Sequence, residues 1–364
     1  MTPEGELVVR AKWDGVRVTG VEVASTRPHV ADRVVAGRTA DEAVALVPRL
    51  FSICGRSQGV AAAFACDAAA AREPDAAARV MRAQAVRAEA VHEYLWRMLL
   101  DWPRLAGGAP DPDALSAARR ALAAPAGDGA PDALREVVKA RVFGADEPWT
   151  ALDEAASGER WLAAANTPAA ALLAKLAGAR PEFGASAVAL LPGDGSAVAR
   201  AVGRALGADP AFERAPVWEG EPAETGALAR MREHPFVASV VARHGRSALA
   251  RFVARVVELV ALARPEAPAR ARLAGAVSTA PGAGIGWVET ARGLLVHAVE
   301  FAAGRVKRYR IVAPTEWNFH PRGALPAGLA GVAAGDESEV RHLVQLAAQS
   351  LDPCVAYRVE VSLA

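Results

Sequence analysis

Aromatic residues are scarce in this 364-residue chain, at 5%, and cysteines are scarcer, with only Cys54, Cys66 and Cys354. Three thiols cannot staple a secreted fold of this size, and an odd number fits a reducing cytoplasm. Excess charge is missing too. The 42 Lys+Arg and 41 Asp+Glu leave +1, so bulk electrostatics favours neither nucleic acid nor an anionic membrane surface. No apolar run reaches the length of a spanning helix, about 20 residues, because Asp67, Arg72, Asn166, Pro168 and Lys175 interrupt the Ala-rich stretches. Met1 to Arg10 carries acids and no apolar core, so no signal peptide is expected. The histidines show no His-Glu-x-x-His spacing, which disfavours a zinc site, and no Gly-x-Ser-x-Gly elbow or Cys-His pair anchors a hydrolase.

What is present is alanine. At 52% hydrophobic residues, the composition excludes disorder for most of the length and points to a helix-rich soluble protein with small-residue contacts between helices. Glu6 to Val23 alternates around Asp14-Gly15, which predicts a β-hairpin. Ala61 to Trp102 has apolar residues at helical spacing and a single proline, Pro74, and predicts one long helix or two; His92 and Trp96, four apart, are expected to pack together. Residues 103–132, rich in Pro, Gly, Ala and Asp, are expected to form a mobile surface excursion without cutting the chain into domains. Further helices are expected over Leu228 to Leu262 and Glu337 to Gln349, and a pair of strands over Gly284 to Val312 turning at Ala303-Gly304.

Two places invite a chemical reading. Ser186 to Leu191 reads as a strand, followed by Pro192-Gly193-Asp194-Gly195-Ser196 and a helix to Leu206, the ingredients of a dinucleotide fingerprint; a dinucleotide-dependent oxidoreductase is one hypothesis. Against it, Val198 stands where the third glycine belongs. The other place is Cys54, at the start of the long helix in Ser52-Ile53-Cys54-Gly55-Arg56-Ser57, where free amides and the helix dipole favour a thiolate. Cys354 follows Pro353, which fixes a sharp local geometry. Taken singly, either cysteine also reads as a small buried hydrophobe, as Cys66 does.

Taken together, these segments resemble the large subunit of nickel–iron hydrogenases, with its early Arg-x-Cys-Gly-x-Cys-x-x-x-His and late Asp-Pro-Cys-x-x-Cys-x-x-His motifs. Intermediate segments agree in order. Pro216 to Arg230 is similar to the segment ending Val-Gly-Pro-Leu-Ala-Arg, Glu289-Thr290-Ala291-Arg292-Gly293 through His297 to Glu-Ala-Pro-Arg-Gly-x-x-x-His, and Val312 to Arg322 to Val-Pro-Thr-Thr-Trp-Asn-x-x-Pro-Arg. The departures matter as much. Ser57 and Tyr357 replace the inner, metal-bridging cysteines, Ala61 and Glu360 the motif histidines, and Ser52 the early arginine. No C-terminal extension of the kind clipped from true large subunits is expected beyond Ala364.

This set of losses and retentions resembles the HupK/HoxV-type hydrogenase expression/formation proteins, non-catalytic relatives of the large subunit. The resemblance implies an α+β, mainly α fold, with a hydrogenase large-subunit-like helical core and small peripheral β-sheets, as a single domain over 1–364. It implies no enzyme activity, a cytoplasmic location, and a scaffold for the Fe(CN)2CO fragment, held transiently and without nickel. Cys54 and Cys354 would be the metal ligands. Arg292 would donate to one cyanide and Thr315 to the other, with Pro314 as an apolar wall and Asp352 orienting Arg292; a guanidinium and a hydroxyl suit cyanide's acceptor nitrogen. The retained cysteines match terminal nickel ligands in the family, so either the iron shifts towards them or they have another task. Glu4 matches a proton-relay glutamate and Asp32 a metal-binding one, though as residues both read as solvated or structural acids; with Glu360 they are the candidates for contact with a second metal. The implied partners are maturation proteins of the Hyp type and the large-subunit precursor. A docking protein without metal is the remaining alternative.

Overall fold

The computed structural model describes residues 5–123, 130–144, 149–209, 211–264 and 273–364. The chain forms two compact units, one of Met1–Glu89, Ala187–Ala229 and Ala271–Ala364, the other of Ala90–Ser186 and Arg230–Arg270. Helices predominate and the sheets are small, an α+β, mainly α architecture.

In the first unit, Glu6–Trp13 and Val18–Ser25 form the hairpin, whose turn is held by Asp14 Oδ1 accepting from the Val16 and Arg17 amides. Pattern alone does not reveal the other neighbour of Glu6–Trp13. The C-terminal strand Ala356–Leu363 pairs with it in parallel, Glu6 opposite Ala356, so the two ends of the chain share one three-stranded sheet. A second sheet is a four-stranded antiparallel meander of Ala274–Ala280, Ala283–Thr290, Gly293–Ala302 and Arg305–Val312. Its last turn uses Ala303 and Gly304 at φ 49 and 73, the paired positive values that suit a tight hairpin.

Alternation along Ala283–Thr290 explains how this sheet is covered. Gly284 and Gly286 point to one face, where an added Cβ would lie 2.3 Å from the Ala69 amide nitrogen and 2.0 Å from the Ala61 carbonyl oxygen; only glycine lets the Gly55–Ala69 helix sit so close. Ile285 and Trp287 point to the other face and pack with Val198, Val202 and Leu206 of the Gly195–Ala208 helix. That helix was the candidate phosphate site. Here Asp194 caps it, accepting from the Ser196 and Ala197 amides, so a carboxylate stands where a phosphate would dock, and the preceding strand is only Ala189–Leu190.

The second unit is helical. Ala248–Ala263 is buried on nearly all sides, capped by Ser247 accepting from the Ala250 amide. Trp102 stacks edge-on against Phe252, with ring centroids 4.9 Å apart, and Phe236 fills the space beside Gly158. His92 and Trp96 also pack edge-on, at 6.1 Å. The expected mobile excursion is corrected here. Residues 103–123 and 130–132 contribute to the helices Trp102–Ala106, Pro112–Ala123 and Ala130–Val138, with Leu115 and Ala118 buried, and the part of the expected excursion at 124–129 lies outside the described residues. Pro103 and Pro112 sit in first turns, where proline is tolerated, so they start helices instead of breaking them. Within the expected long helical stretch, the break falls at Pro74, between Gly55–Ala69 and Ala76–Trp96.

Candidate functional site

Cys54 is the N-cap of the Gly55–Ala69 helix. Cys354 lies just past the Glu337–Leu351 helix, which ends on Asp352 in the left-handed conformation at φ 55, and Pro353 then turns the chain towards its last strand. Opposite ends of the sequence are thereby brought together, and the two thiols hydrogen-bond to each other.

Their protonation is unequal. Cys354 is held well below the ordinary thiol range, because the Cys54 S–H donates to it and because Arg27, Arg292 and Thr315 outweigh the opposing cost of burial. The Thr315 hydroxyl lies 3.0 Å from Cys354 Sγ and accepts from the Cys354 amide at 3.4 Å, while Arg27 Nη1 donates to Sγ at 3.4 Å. Cys54 moves the other way, since it shares its proton with Cys354, is desolvated and faces the Cys354 charge. The helix dipole was expected to make Cys54 the thiolate. That is corrected: the first-turn amides of Arg56 and Ser57 already donate to the Glu89 carboxylate, so the negative charge at this helix end is Glu89.

Behind Cys54 runs a chain of polar groups. Gln58 Nε2 donates to Cys54 Sγ at 3.5 Å, which turns Gln58 Oε1 towards His297 Nε2 at 2.8 Å, and His297 Nδ1 lies 2.7 Å from the Tyr309 hydroxyl. Burial holds the His297 imidazole neutral, with its pKa down at about 3. Its Nε2–H therefore donates to Gln58 and its Nδ1 accepts from Tyr309, and each donor in the chain points towards the sulfur.

The remaining candidates surround Cys354. Arg292 sits in the Ala291-Arg292 turn between two strands, held by the Thr290 hydroxyl, which accepts from its amide at 3.2 Å, and by Asn318 Nδ2 donating to its carbonyl at 3.2 Å. Asn318 also accepts from the Thr225 amide at 2.9 Å. Arg292 Nε is 3.6 Å from Asp352 Oδ1, with both side chains buried. Pro314 opens the short Pro314–Asn318 helix and is itself buried. Cys66 lies in a separate hydrophobic cluster with Tyr309, its thiol pushed up to about 12 by burial.

Two residues here carry no sequence expectation. Arg27 Nη1 pairs with Glu316 Oε1 at 3.3 Å, both side chains being under a tenth exposed, and burial pushes the Glu316 carboxyl up to about 7 despite Arg27. Glu316 stands within the Val312 to Arg322 segment where the family pattern has threonine, a signal that was available; Arg27 had none.

Other candidates lie elsewhere or serve structure. Ser57 is buried beside Glu89, and the Tyr357 hydroxyl accepts from Gln349 at 3.2 Å. Asp32 accepts from the Tyr309 amide, and Glu360 pairs with Arg10 and Arg358. Glu4 lies outside the described residues. Among the described residues, no group of three or more His, Cys, Asp or Glu side chains is arranged to hold a metal ion. The thiol pair, a two-sulfur site with cationic and hydroxyl donors beside it, therefore stands by itself. No helix among the described residues is long and apolar enough to cross a membrane.

Comparison with known proteins finds the chain similar to hydrogenase-related proteins. A family model described as nickel-dependent hydrogenase matches residues 207–359. The hydrogenase expression/formation protein HoxV of Cupriavidus necator is 31% identical, over 93% of this chain and 92% of its own. The hydrogenase expression/formation protein HupK of Rhizobium leguminosarum bv. viciae is 33% identical, over 94% and 92%. Among solved structures, the reduced, active Ni-Fe-Se hydrogenase of Desulfomicrobium baculatum superposes with a TM-score of 0.60, covering 95% of each chain at 17% identity, a likeness of fold.

Proposed function

Because this chain belongs to the HupK/HoxV family of hydrogenase expression/formation proteins, we propose that it serves nickel–iron hydrogenase maturation as a scaffold, holding or passing on the Fe(CN)2CO fragment between Cys54 and Cys354 without turning over hydrogen itself. The named relatives are expression/formation proteins and not catalytic hydrogenases, in keeping with a non-enzymatic role. The observation that carries the reading is the convergence of two thiols on one buried site beside Arg292 and Thr315.

The chemistry of the donors fits the cargo. Two soft sulfurs suit one low-spin iron and are too few for the bridged nickel–iron pair of the large subunit, whose two motifs carry four. The Arg292 guanidinium, oriented by Asp352, offers N–H donors to a cyanide nitrogen, and the Thr315 hydroxyl offers one to the other cyanide. Pro314 gives carbon monoxide an apolar neighbour. Cys354 meets iron as a thiolate, and Cys54 releases its shared proton on binding. In this role the protein works in the cytoplasm, receives the fragment from maturation proteins of the Hyp type and acts with the large-subunit precursor, with nickel left to a later stage.

The test is infrared spectroscopy in the cyanide and carbonyl stretching region, with iron quantified, on protein purified anaerobically from cells expressing the maturation machinery. Bands in the wild type that vanish in Cys54→Ala and Cys354→Ala are the expected result. A wild type with neither bands nor iron overturns the iron-carrying role and leaves docking of assembly factors, which the same two variants would not impair.

A further inference from the structure

A cavity of about 1020 Å³ opens beside the thiol pair within the first unit. Ile53 and Val355, the neighbours of the two cysteines, line it, as do Arg27 and Glu316. Its charge is uneven. Five arginines, Arg27, Arg33, Arg49, Arg214 and Arg310, face three acids, and each acid is engaged: Asp32 by the Tyr309 amide, Glu213 by Arg310 at 3.4 Å, and Glu316 by Arg27 at 3.3 Å. Arg33, Arg49 and Arg214 are exposed at the mouth and make no ion pair among the described residues. The excess is felt within the walls, where burial together with Arg214, Arg27 and Arg310 drives the His29 imidazole down to about 4. A chain with a net charge of only +1 has concentrated unpaired positive charge here.

We infer that this arginine-lined cavity is the passage by which an anionic, cyanide-bearing iron complex reaches Cys54 and Cys354. The inference rests on the scaffold reading and names the route and charge class of its cargo. Iron(II), two cyanides and carbon monoxide sum to zero charge, and each thiolate attached adds one negative charge, so the fragment in transit on a thiolate carrier is an anion. The outer arginines attract it, the cavity has room for a segment of the carrier beside the fragment, and Arg27 stands at the inner end in contact with Cys354. The complex arrives as it left the carrier. Transfer forms two iron–sulfur bonds, to the Cys354 thiolate and to Cys54, and breaks the carrier's iron–sulfur bond, with the Cys54 proton leaving on the departing carrier thiol, and no oxidant or reductant is consumed.

The probe is hexacyanocobaltate(III), a cyanide-bearing anion inert towards thiols, titrated calorimetrically into anaerobic protein, with sulfate as a plain anion for comparison. The variants are R33E/R49E/R214E and, keeping the charge, R33K/R49K/R214K, with thermal midpoints compared to the wild type to establish folding. The expected result is binding that falls at least tenfold in the glutamate variant, is retained in the lysine variant and weakens with added salt. Absence of binding to the wild type, or binding indifferent to charge reversal, overturns the passage. Infrared bands separate this outcome from failure of the scaffold reading. Wild-type bands acquired equally fast by the glutamate variant sink the passage and keep the scaffold. Arginine-dependent binding in a protein that never shows bands keeps an anion site and sinks the scaffold. Sulfate binding as tightly as the cyanide complex marks a general anion site and also overturns the stated cargo.

Discussion

At Glu258, in the helical unit, both carboxylate oxygens are taken: Arg230 Nε and Nη2 donate at 2.6 and 2.8 Å, and the Tyr94 hydroxyl donates to the second oxygen. Close by, Arg251 donates to the Gly184 carbonyl and Arg255 lies over the Phe252 ring. At Glu316, in the unit that holds the thiols, one oxygen pairs with Arg27 and the other is buried with no hydrogen-bond partner among the described residues. Two thiols beside it share one proton. Buried charge is thus handled in two ways in one chain. Where every acceptor is filled, the charges fix a structure; where acceptors and donors stay available around a nucleophile and a cavity, they are poised for something from outside.

The largest expected effect breaks the filled network. Glu258→Ala leaves Arg230 buried without its partner and should cost about 3–5 kcal/mol of folding stability in urea unfolding, whereas Cys354→Ser, at the poised site, should stay within about 1 kcal/mol. The reverse order would dissolve the contrast. Next comes pH. His297 keeps a pKa of about 3 in the native protein against an ordinary 6.5, so below pH 6.5 the unfolded chain binds a proton that the native ring refuses. Stability therefore falls as pH drops from 6.5 towards 3, by about 2 kcal/mol at pH 5, and His297→Gln should remove that part of the pH dependence of the urea midpoint. Thr315→Val sharpens the contrast within the site. Losing a hydroxyl that favours the Cys354 anion should raise the pH at which thiolate absorbance develops, with no effect expected of Cys66→Ala. Smallest is Arg10→Gln, which breaks half-exposed pairs with Glu22 and Glu360; its urea midpoint should move by at most about 0.5 kcal/mol, and a larger loss would mean that surface pairs in this sheet matter as buried ones do.

Local patterns carried much of the fold. The hairpin at Asp14, the turn at Ala303-Gly304 and the long helices are set by short-range chemistry, and the sequence shows them directly. Alanine with proline near residues 103–132 was harder to read, because proline in a first turn and proline in a loop look alike until burial of Leu115 and Ala118 decides. At the site, Cys54, Cys354, Arg292, Thr315 and Asp352 stood in segments that a family resemblance makes visible. Their roles remain those proposed above. Glu89 and Arg27 were invisible, since their effect depends on which helix end and which sulfur a distant side chain reaches, and no spacing encodes that. The same reason hides that the first-turn amides expected to favour a Cys54 thiolate are taken by Glu89.

The parallel pairing of the first and last strands has a consequence for how the protein is made. Glu6–Trp13 leaves the ribosome early and finds its hairpin neighbour at once, but its other edge waits for Ala356–Leu363, which lies 350 residues further along. Cys54 waits with it, because Cys354 stands immediately before that closing strand. A chain halted short of Cys354 has only one of the site's two thiols and an uncovered strand edge, the kind of edge that recruits other chains.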